Sequence, residues 1–536
     1  MKVADYCKEN ALFKEKGYRL PKYDREEIKA KTKENPTWVH FGAGNIFRAF
    51  TAERLQELLD DGEYDRGVIV AESFDTEIIE KAYKPYDGMS LSVVLKANGT
   101  IEKIIVGSVV ESLVADPANE DYERLTEIFE NPSLQMASFT ITEKGYSIVD
   151  GKGEVFPFVT EGFEKGPGKQ THLMGRIASL CYLRFKKNAA PLALVSMDNC
   201  SHNGDKLKAG VMAFVEAWGK AGLVENEFVS YMKDTSKVSF PWSMIDKITP
   251  RPDEKVKEML EKDGFEDTEL IITNKNTYTA PFVNSEETGY LVIEDTFPNG
   301  RPPLHKAGIL FTDRQTVDKV EKMKVCTCLN PLHTALAIYG CLLGYETIHD
   351  EMDDSELSGL ITKMCYEEAM PVVVNPGVIN PKEFADAVLK LRLPNPFMPD
   401  TPQRIATDTS QKLPIRFGET IKAYMASDSL EVNDLTLISL VLAGWCRYLM
   451  GVDDEGKNFE QSSDPRLDSV KSYVSGVKLG EGFNAHEVLK DILSDETIFA
   501  VDLYKAGLGT KVEEIFTELT AGKGAIRATL KKYVTA

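Results

Sequence analysis

Apolar residues follow one rhythm along this chain up to about residue 312 and another beyond it. In the first part, short apolar runs recur as WVHF (38–41), GVIVA (67–71), LSVVLKA (91–97), EKIIVGSVV (102–110), MASFTIT (136–142) and LALVSM (192–197), with helical patterns between several of them. Such alternation predicts a sheet with helices on its faces, and it places ligand chemistry at the carboxyl ends of the strands. DTFPNGRPPL (295–304), dense in Pro and Gly, interrupts the pattern. Beyond it the period becomes 3.6, as in TVDKVEKMKV, HTALAIYGCLLG, SELSGLITKMCYEEAM and NDLTLISLVLAGWCRYL, so the second half reads as all-helical. At 536 residues the chain exceeds the size at which one core keeps growing, which favours two domains.

The stretch VHFGAGNIFRAF (39–50) reads as strand, glycine turn and helix. In a dinucleotide-binding unit the first glycine permits the tight turn, the second lets backbone approach a pyrophosphate, and the third lets helix and strand pack closely. Gly42 and Gly44 supply the first two, and Phe47 stands in place of the third. Asn45, Ile46, Phe47 and Arg48 open the helix, where the Arg48 guanidinium is placed to supplement the helix N-terminus in holding phosphate. The next strand ends in VAESFD, so either Glu72 or Asp75 is the candidate for the adenosine ribose, and either would repel a 2′-phosphate, favouring NAD over NADP. An ordinary βα turn with solvated acids is the competing reading. The predicted fold is thus an α/β Rossmann-type N-terminal domain over 1–312, binding NAD, and a mostly α-helical C-terminal domain over 313–536 carrying substrate and catalytic groups.

Charge and cysteine usage narrow the class. The 63 Lys+Arg against 84 Asp+Glu leave a net charge of −21, which opposes general affinity for nucleic acid or anionic membranes. A small negative substrate therefore needs a locally basic pocket. The N-terminal MKVADYCKENALFKEKGYRL lacks the apolar core of a secretory signal, and a cytoplasmic location is expected. LTLISLVLAGWCRYLM (435–450), the longest greasy segment in the sequence, is interrupted by Arg447 and reads as a buried helix. The eight cysteines show no zinc-ribbon spacing; Cys326 and Cys328 form a lone C-x-C, and no metal site is expected.

Four further stretches look unlike ordinary packing: TITEKGY (140–146), SMDNCSHNG (196–204), FPWSMIDKITPRP (240–252) and EKMKVCTCLNPLHTALAIYGCLLGY (321–345). Together with GAGNIFRAF and RIATDTSQKLPIRF (404–417), they resemble the polyol-specific long-chain dehydrogenases, the mannitol dehydrogenase family, which also includes hexuronate reductases. The resemblance runs from about residue 36 to the C-terminal helices, and the family likewise lacks the third glycine. It implies a zinc-independent oxidoreductase in which Lys324 is the general acid/base, with Glu321 and Glu143 relaying or gating protons. An ordinary lysine, titrating near about pH 10.4, is a poor base at neutral pH, so the role requires surroundings that favour the neutral amine. Asn199 and Asn330 match asparagines that hydrogen-bond the reacting oxygen, and His333 matches a histidine that positions it. Asp246, Arg404 and Lys412 match substrate-binding positions. Taken singly, Asp246 reads as a surface ion-pair partner of Lys247, Arg404 and Lys412 as a solvated helix face, Asn199 as turn chemistry beside an Asn203-Gly204 turn, and Glu143 as a strand-end acid.

Lys324 and Asn330 stand one residue further apart than the family's spacing. On one straight helix Lys324 would lie about 120° from Asn330 and about 180° from His333. Because Pro331 favours a first helical turn and Asn330 suits an N-cap, a helix break is expected between Lys324 and Asn330, with Asn330 and His333 on one face beyond it. The resemblance of KVCTCLNPLHTALAIYG and NPFMPDTPQRIATDTSQKLPIRF to the hexuronate reductases of that family implies interconversion of D-mannonate and D-fructuronate. The alternatives are mannitol and fructose, or altronate and tagaturonate. A protein of another class, a catalytically silent NAD-binding sensor, has no evident need for Lys324, Asn199, Asn330 and His333 together. The expected partner is a small sugar acid or polyol, and the chain is expected to be a monomer or small homo-oligomer.

Overall fold

The computed structural model describes residues 1–535. The chain divides into two compact units, one comprising 1–96 and 100–318, the other 97–99 and 319–536.

The first unit is built on a six-stranded sheet of β1 (Trp38–Phe41), β2 (Val68–Glu72), β3 (Val109–Val114), β4 (Met136–Phe139), β5 (Leu192–Ser196) and β6 (Val238–Ser239). Its strands are all parallel and lie in the order 3-2-1-4-5-6, the doubly wound arrangement whose order reverses beside β1. Both faces are covered. Val39, Phe41, Ile69 and Phe139 pack into one core with the helices Leu173–Lys187 and Asn203–Lys220, while Trp38, Val68, Val70 and Val195 pack into another with Ala52–Asp60. A strand buried on both sides cannot alternate polar and apolar residues, which is why WVHF is continuous.

The run 102–110 is two strands and not one. Ile101–Val106 pairs with Ser90–Leu95 in a separate four-stranded sheet, and the chain then passes through Gly107 and Ser108 into β3. A three-stranded sheet of Ser243–Asp246, Tyr290–Glu294 and Leu310–Thr312 carries Asp246 at its end, opposite Tyr290.

The second unit is helical, as its period requires. Every residue of Thr436–Tyr448 after Thr436 is buried, and Glu368 caps its N-terminus by accepting the Leu437 and Ile438 amides at 2.6 and 2.8 Å. The long apolar element of the structure is a different one. Arg314–Leu343 is, among the described residues, the one helix long and apolar enough to cross a bilayer, and 78% of its apolar window is buried within the protein.

Candidate functional site

The glycine turn follows β1 at the point of reversal. Gly42 has φ +109°, and a Cβ there would lie 2.1 Å from the Thr140 carbonyl oxygen, so only glycine closes this turn against β4. A Cβ on Gly44 would meet nothing within 4 Å. The space beside Gly44 is therefore open at the N-terminus of a helix, a cradle suited to the pyrophosphate of a dinucleotide.

Glu72, at the end of β2, locks this turn. Its Oε2 accepts the Ala43 N–H at 2.8 Å, and its Oε1 accepts the amides of Ser73, Phe74 and Asp75 at 2.9, 2.7 and 3.2 Å. Asp75 is buried, and its carboxylate accepts from the Thr273 hydroxyl at 2.6 Å.

Two expected cofactor contacts are corrected. Phe47 is fully buried and lies flat on His40 of β1, with ring centroids 4.1 Å apart and planes inclined by 7°. The aromatic pair fills the helix–strand interface that a third glycine would have narrowed, and the Phe47 ring is sealed from any ligand. Burial pushes the His40 imidazole down to about 3, so it packs as a neutral ring bonded to Ser138 and Thr140. Arg48 turns inward as well. Its guanidinium donates to the Ala280 carbonyl at 2.7 Å and to Thr279 Oγ1 and Asn45 Oδ1 at 2.9 Å each, and burial lowers its pKa. Only 1% of the residue is exposed, and Arg48 ties the helix start to the 279–280 segment. Asn45 and Ile46 remain partly exposed.

Beyond β4 and β5 the chain ends are joined through Asp198. It accepts the Ile141 and Thr142 amides at 2.9 Å each and the Tyr146 hydroxyl at 2.5 Å, while burial raises its pKa. Asn199 follows in an exposed bend. The expected Asn203-Gly204 turn is instead the first turn of the helix Asn203–Lys220. The Asn203 amide bridges the Ser196 and Asp198 carbonyls and Ser243 Oγ, and a Cβ on Gly204 would lie 2.7 Å from the Pro241 oxygen. Here glycine serves close approach of a helix to the 240–242 connection between two strands. Glu143 is 63% exposed and paired with Lys206. Asp246 is buried, whereas the Lys247 ammonium donates to the Glu286 carbonyl at 2.6 Å.

In the second unit the helix break takes another form. The helix does not stop and restart at a capping Asn330; it widens into a π-turn over Lys324–Cys328, and Leu329 (φ −135°, ψ −63°) precedes the helix Asn330–Leu343. Pro331 explains the widening, since it has no N–H for the residue 327 carbonyl and its ring would strike that oxygen in a regular helix. Lys324, first in the π-turn, is 4% exposed. Glu321 lies one turn earlier and is partly exposed. Asn330 and His333 are partly exposed in a helix whose other residues from Pro331 to Leu342 are buried, consistent with one shared face.

His333 is surrounded by positive charge. Burial, with Arg416, Arg404, Arg392 and Lys412 nearby, pushes its imidazole down to about 3. Its Nε2 lies 3.5 Å from Asp400 Oδ2, and that carboxylate pairs with Arg404 through Oδ1. Lys412, whose pKa is pushed down to about 8 by burial and then by Arg416, donates to the carbonyls of Ile405 and Thr407. Arg416, lowered to about 10 by burial, donates to Thr334 Oγ1. Sequence reasoning overlooked Asp400, Arg392 and Arg416. Two of them had a signal, because Asp400–Arg404 and Lys412–Arg416 are i,i+4 pairs; Arg392 had none.

Comparison with known proteins accords with these features. The family profile described as "Mannitol dehydrogenase Rossmann domain" matches residues 36–306, and that described as "Mannitol dehydrogenase C-terminal domain" matches 316–520. A D-mannonate oxidoreductase of Thermotoga maritima is 54% identical over 529 residues, covering 98% of each chain. The D-mannonate oxidoreductase of Escherichia coli is 26% identical, covering 90% of this chain and 91% of that one. Among solved structures, Pseudomonas fluorescens mannitol 2-dehydrogenase in ternary complex with NAD and D-mannitol superimposes with a TM-score of 0.66 at 26% identity, covering 97% of each chain. A substrate-free D-sorbitol dehydrogenase gives 0.78 at 25% identity, covering 96% of this chain and 97% of that one. The chain belongs to the mannitol dehydrogenase family.

Proposed function

We propose that this protein interconverts D-mannonate and D-fructuronate, with NAD as hydride carrier and Lys324 as the acid–base group, without a catalytic zinc. The cofactor reading rests on the open space at Gly44, the helix N-terminus that follows it, and the Glu72 carboxylate fixed beside Ala43. Gly42, Gly44, Asn45 and Ile46 would line the pyrophosphate, and Glu72 at the end of β2, or Asp75 just beyond it, would meet the ribose. When bound, NAD accepts the hydride removed from the alcohol carbon, and its reduced form returns it.

Lys324 would take the hydroxyl proton during oxidation and give it to the developing alkoxide during reduction. Asn330 would donate a hydrogen bond to that oxygen as its charge grows, and family resemblance gives Asn199 the same task. Glu321 and Glu143 are the proposed proton outlets. A neutral His333 can orient a hydroxyl without competing for the proton that Lys324 handles, since its pKa is held near about 3. Asp246 is proposed to hold a substrate hydroxyl.

One observation carries the choice of an acid over a neutral polyol. Lys412 and Arg416 are half-buried cations whose hydrogen bonds go only to neutral oxygens, close to His333 and Arg404. Cations drawn out of water without a directly bonded carboxylate favour an anionic guest. Steady-state turnover of D-mannonate, D-altronate, D-mannitol and D-arabinitol with NAD tests the proposal, with the highest kcat/KM expected for D-mannonate. Turnover of D-mannitol alone would overturn it, and NAD binding with no turnover of any of them would favour the sensor.

A further inference from the structure

Within the cation cluster of the second unit, one carboxylate sits in contact with the groups that the proposed substrate would need. Asp400 pairs through Oδ1 with Arg404 Nη2, and its Oδ2 stands 3.5 Å from His333 Nε2. That imidazole nitrogen is buried and has no hydrogen-bond partner among the described residues. The two ends of the pair differ in setting: the Asp400 side chain is 10% exposed, whereas Arg404 is 62% exposed. Asp400 is anchored by its own backbone, whose carbonyl accepts the Ile348 amide at 2.9 Å.

We propose that Asp400 is an internal stand-in for the substrate carboxylate, occupying Arg404 in the free protein and yielding that guanidinium to a bound hexonate. The inference rests on the acid-substrate reading above. Three observations carry it. First, Asp400–Arg404 is an i,i+4 pair whose guanidinium end is exposed, so a ligand from solvent can reach it. Second, Asp464, another carboxylate near the cluster, is engaged elsewhere. Asp464 accepts the Ser410 amide and hydroxyl at 2.7 and 2.6 Å, and both it and Asp408 act on Lys412 through space. Third, Lys412 and Arg416 keep charge that Asp400 does not contact, so an incoming carboxylate gains partners that the internal one lacks. A planar guanidinium released by Asp400 can take a substrate carboxylate through two parallel N–H donors. A neutral hexitol gains nothing comparable from the exchange, so Asp400 sets acid-over-polyol selectivity by how firmly it holds Arg404.

The test uses the enzyme carrying NADH, on which D-mannonate binds without reacting. Calorimetric affinities are measured for D-mannonate, D-mannitol and acetate with the unmutated protein, Asp400→Asn and Asp400→Glu. Removing the competing charge should tighten D-mannonate by about two- to tenfold, tighten acetate in the same direction, and shift D-mannitol by less than either. Asp400→Glu, which keeps the carboxylate, should not tighten D-mannonate. Equal or weaker D-mannonate binding to Asp400→Asn, or equal tightening of D-mannitol, overturns the inference. A structure of the unmutated enzyme with D-mannonate decides the matter even if Asp400→Asn fails to fold: Arg404 should lie on the substrate carboxylate with Asp400 detached, and an intact Asp400–Arg404 pair overturns it. Failure of the unmutated protein to oxidise D-mannonate would instead overturn the substrate reading, so the two failures are distinguishable.

Discussion

Phe47 and His40 are stacked face to face across the first helix–strand contact of the dinucleotide-binding unit, 4.1 Å between centroids. The pair shows how a chain can dispense with a third glycine: instead of bringing helix and strand closer, it fills the gap with two flat rings, one of them kept neutral by burial.

Restoring the three-glycine form should therefore harm this protein. Phe47→Gly leaves a cavity over His40 and is expected to destabilise the first unit by about 3–5 kcal/mol, the range for removing a buried aromatic side chain. Urea unfolding followed by tryptophan fluorescence reads this, and a Phe47→Gly protein as stable as the parent would contradict the packing role.

Glu72 holds four backbone amides with two oxygens. Glu72→Gln replaces one acceptor by a donor aimed at N–H groups, so the turn loosens where a pyrophosphate would lie. The expected outcome is a KM for NAD raised about tenfold or more, from the loss of a charge-assisted bond and an unpaired amide. Asp75→Asn should change KM for NAD less, because the Thr273 hydroxyl can still donate to the amide oxygen.

Lys412 supplies a pH signature. Its pKa is about 8, so the ammonium is present below that value and lost above it. Affinity for a hexonate should fall as pH rises through about 8, with KM for D-mannonate climbing and that for a neutral hexitol much flatter. Lys412→Met should raise KM for D-mannonate about tenfold at pH 7 and flatten its rise with pH. The same depressed pKa makes the folded chain release this proton before the unfolded one, so the Lys412 contribution to stability improves as pH rises from about 8 toward the ordinary lysine value.

Glu351 is fully buried, and neither of its carboxyl oxygens has a hydrogen-bond partner among the described residues. Burial, and then Asp354 and Asp350, raise its pKa well above the usual carboxylate range, so the folded chain keeps a proton that the unfolded chain releases. Its contribution is therefore present below about pH 4.3 and declines as pH rises toward the raised value. Glu351→Met, similar in volume, should stabilise the protein by about 1–3 kcal/mol near pH 8 and by less at pH 5. Calorimetric melting at the two pH values checks the sign and the difference.

The amino-acid sequence alone determined whatever depends on neighbours a few residues apart. The apolar run Trp38–Phe41, the turn at Gly42 and Gly44, the helix that follows and the change to a 3.6 period beyond residue 312 are all local patterns, and local sterics and one-sided burial translate them directly into elements. The i,i+3 relation of Asn330 and His333 was legible for the same reason. Only the tertiary structure decided which side chains a ligand can reach, because that depends on what lies opposite in space. Phe47 and Arg48 looked like cofactor contacts until β1 and the 279–280 segment were seen to enclose them. Gly107 separates two strands that one apolar run had merged, because its flanks enter different sheets. The charge around His333 comes from residues 59 to 83 positions away, and no local period links an imidazole to Arg392 or Arg416.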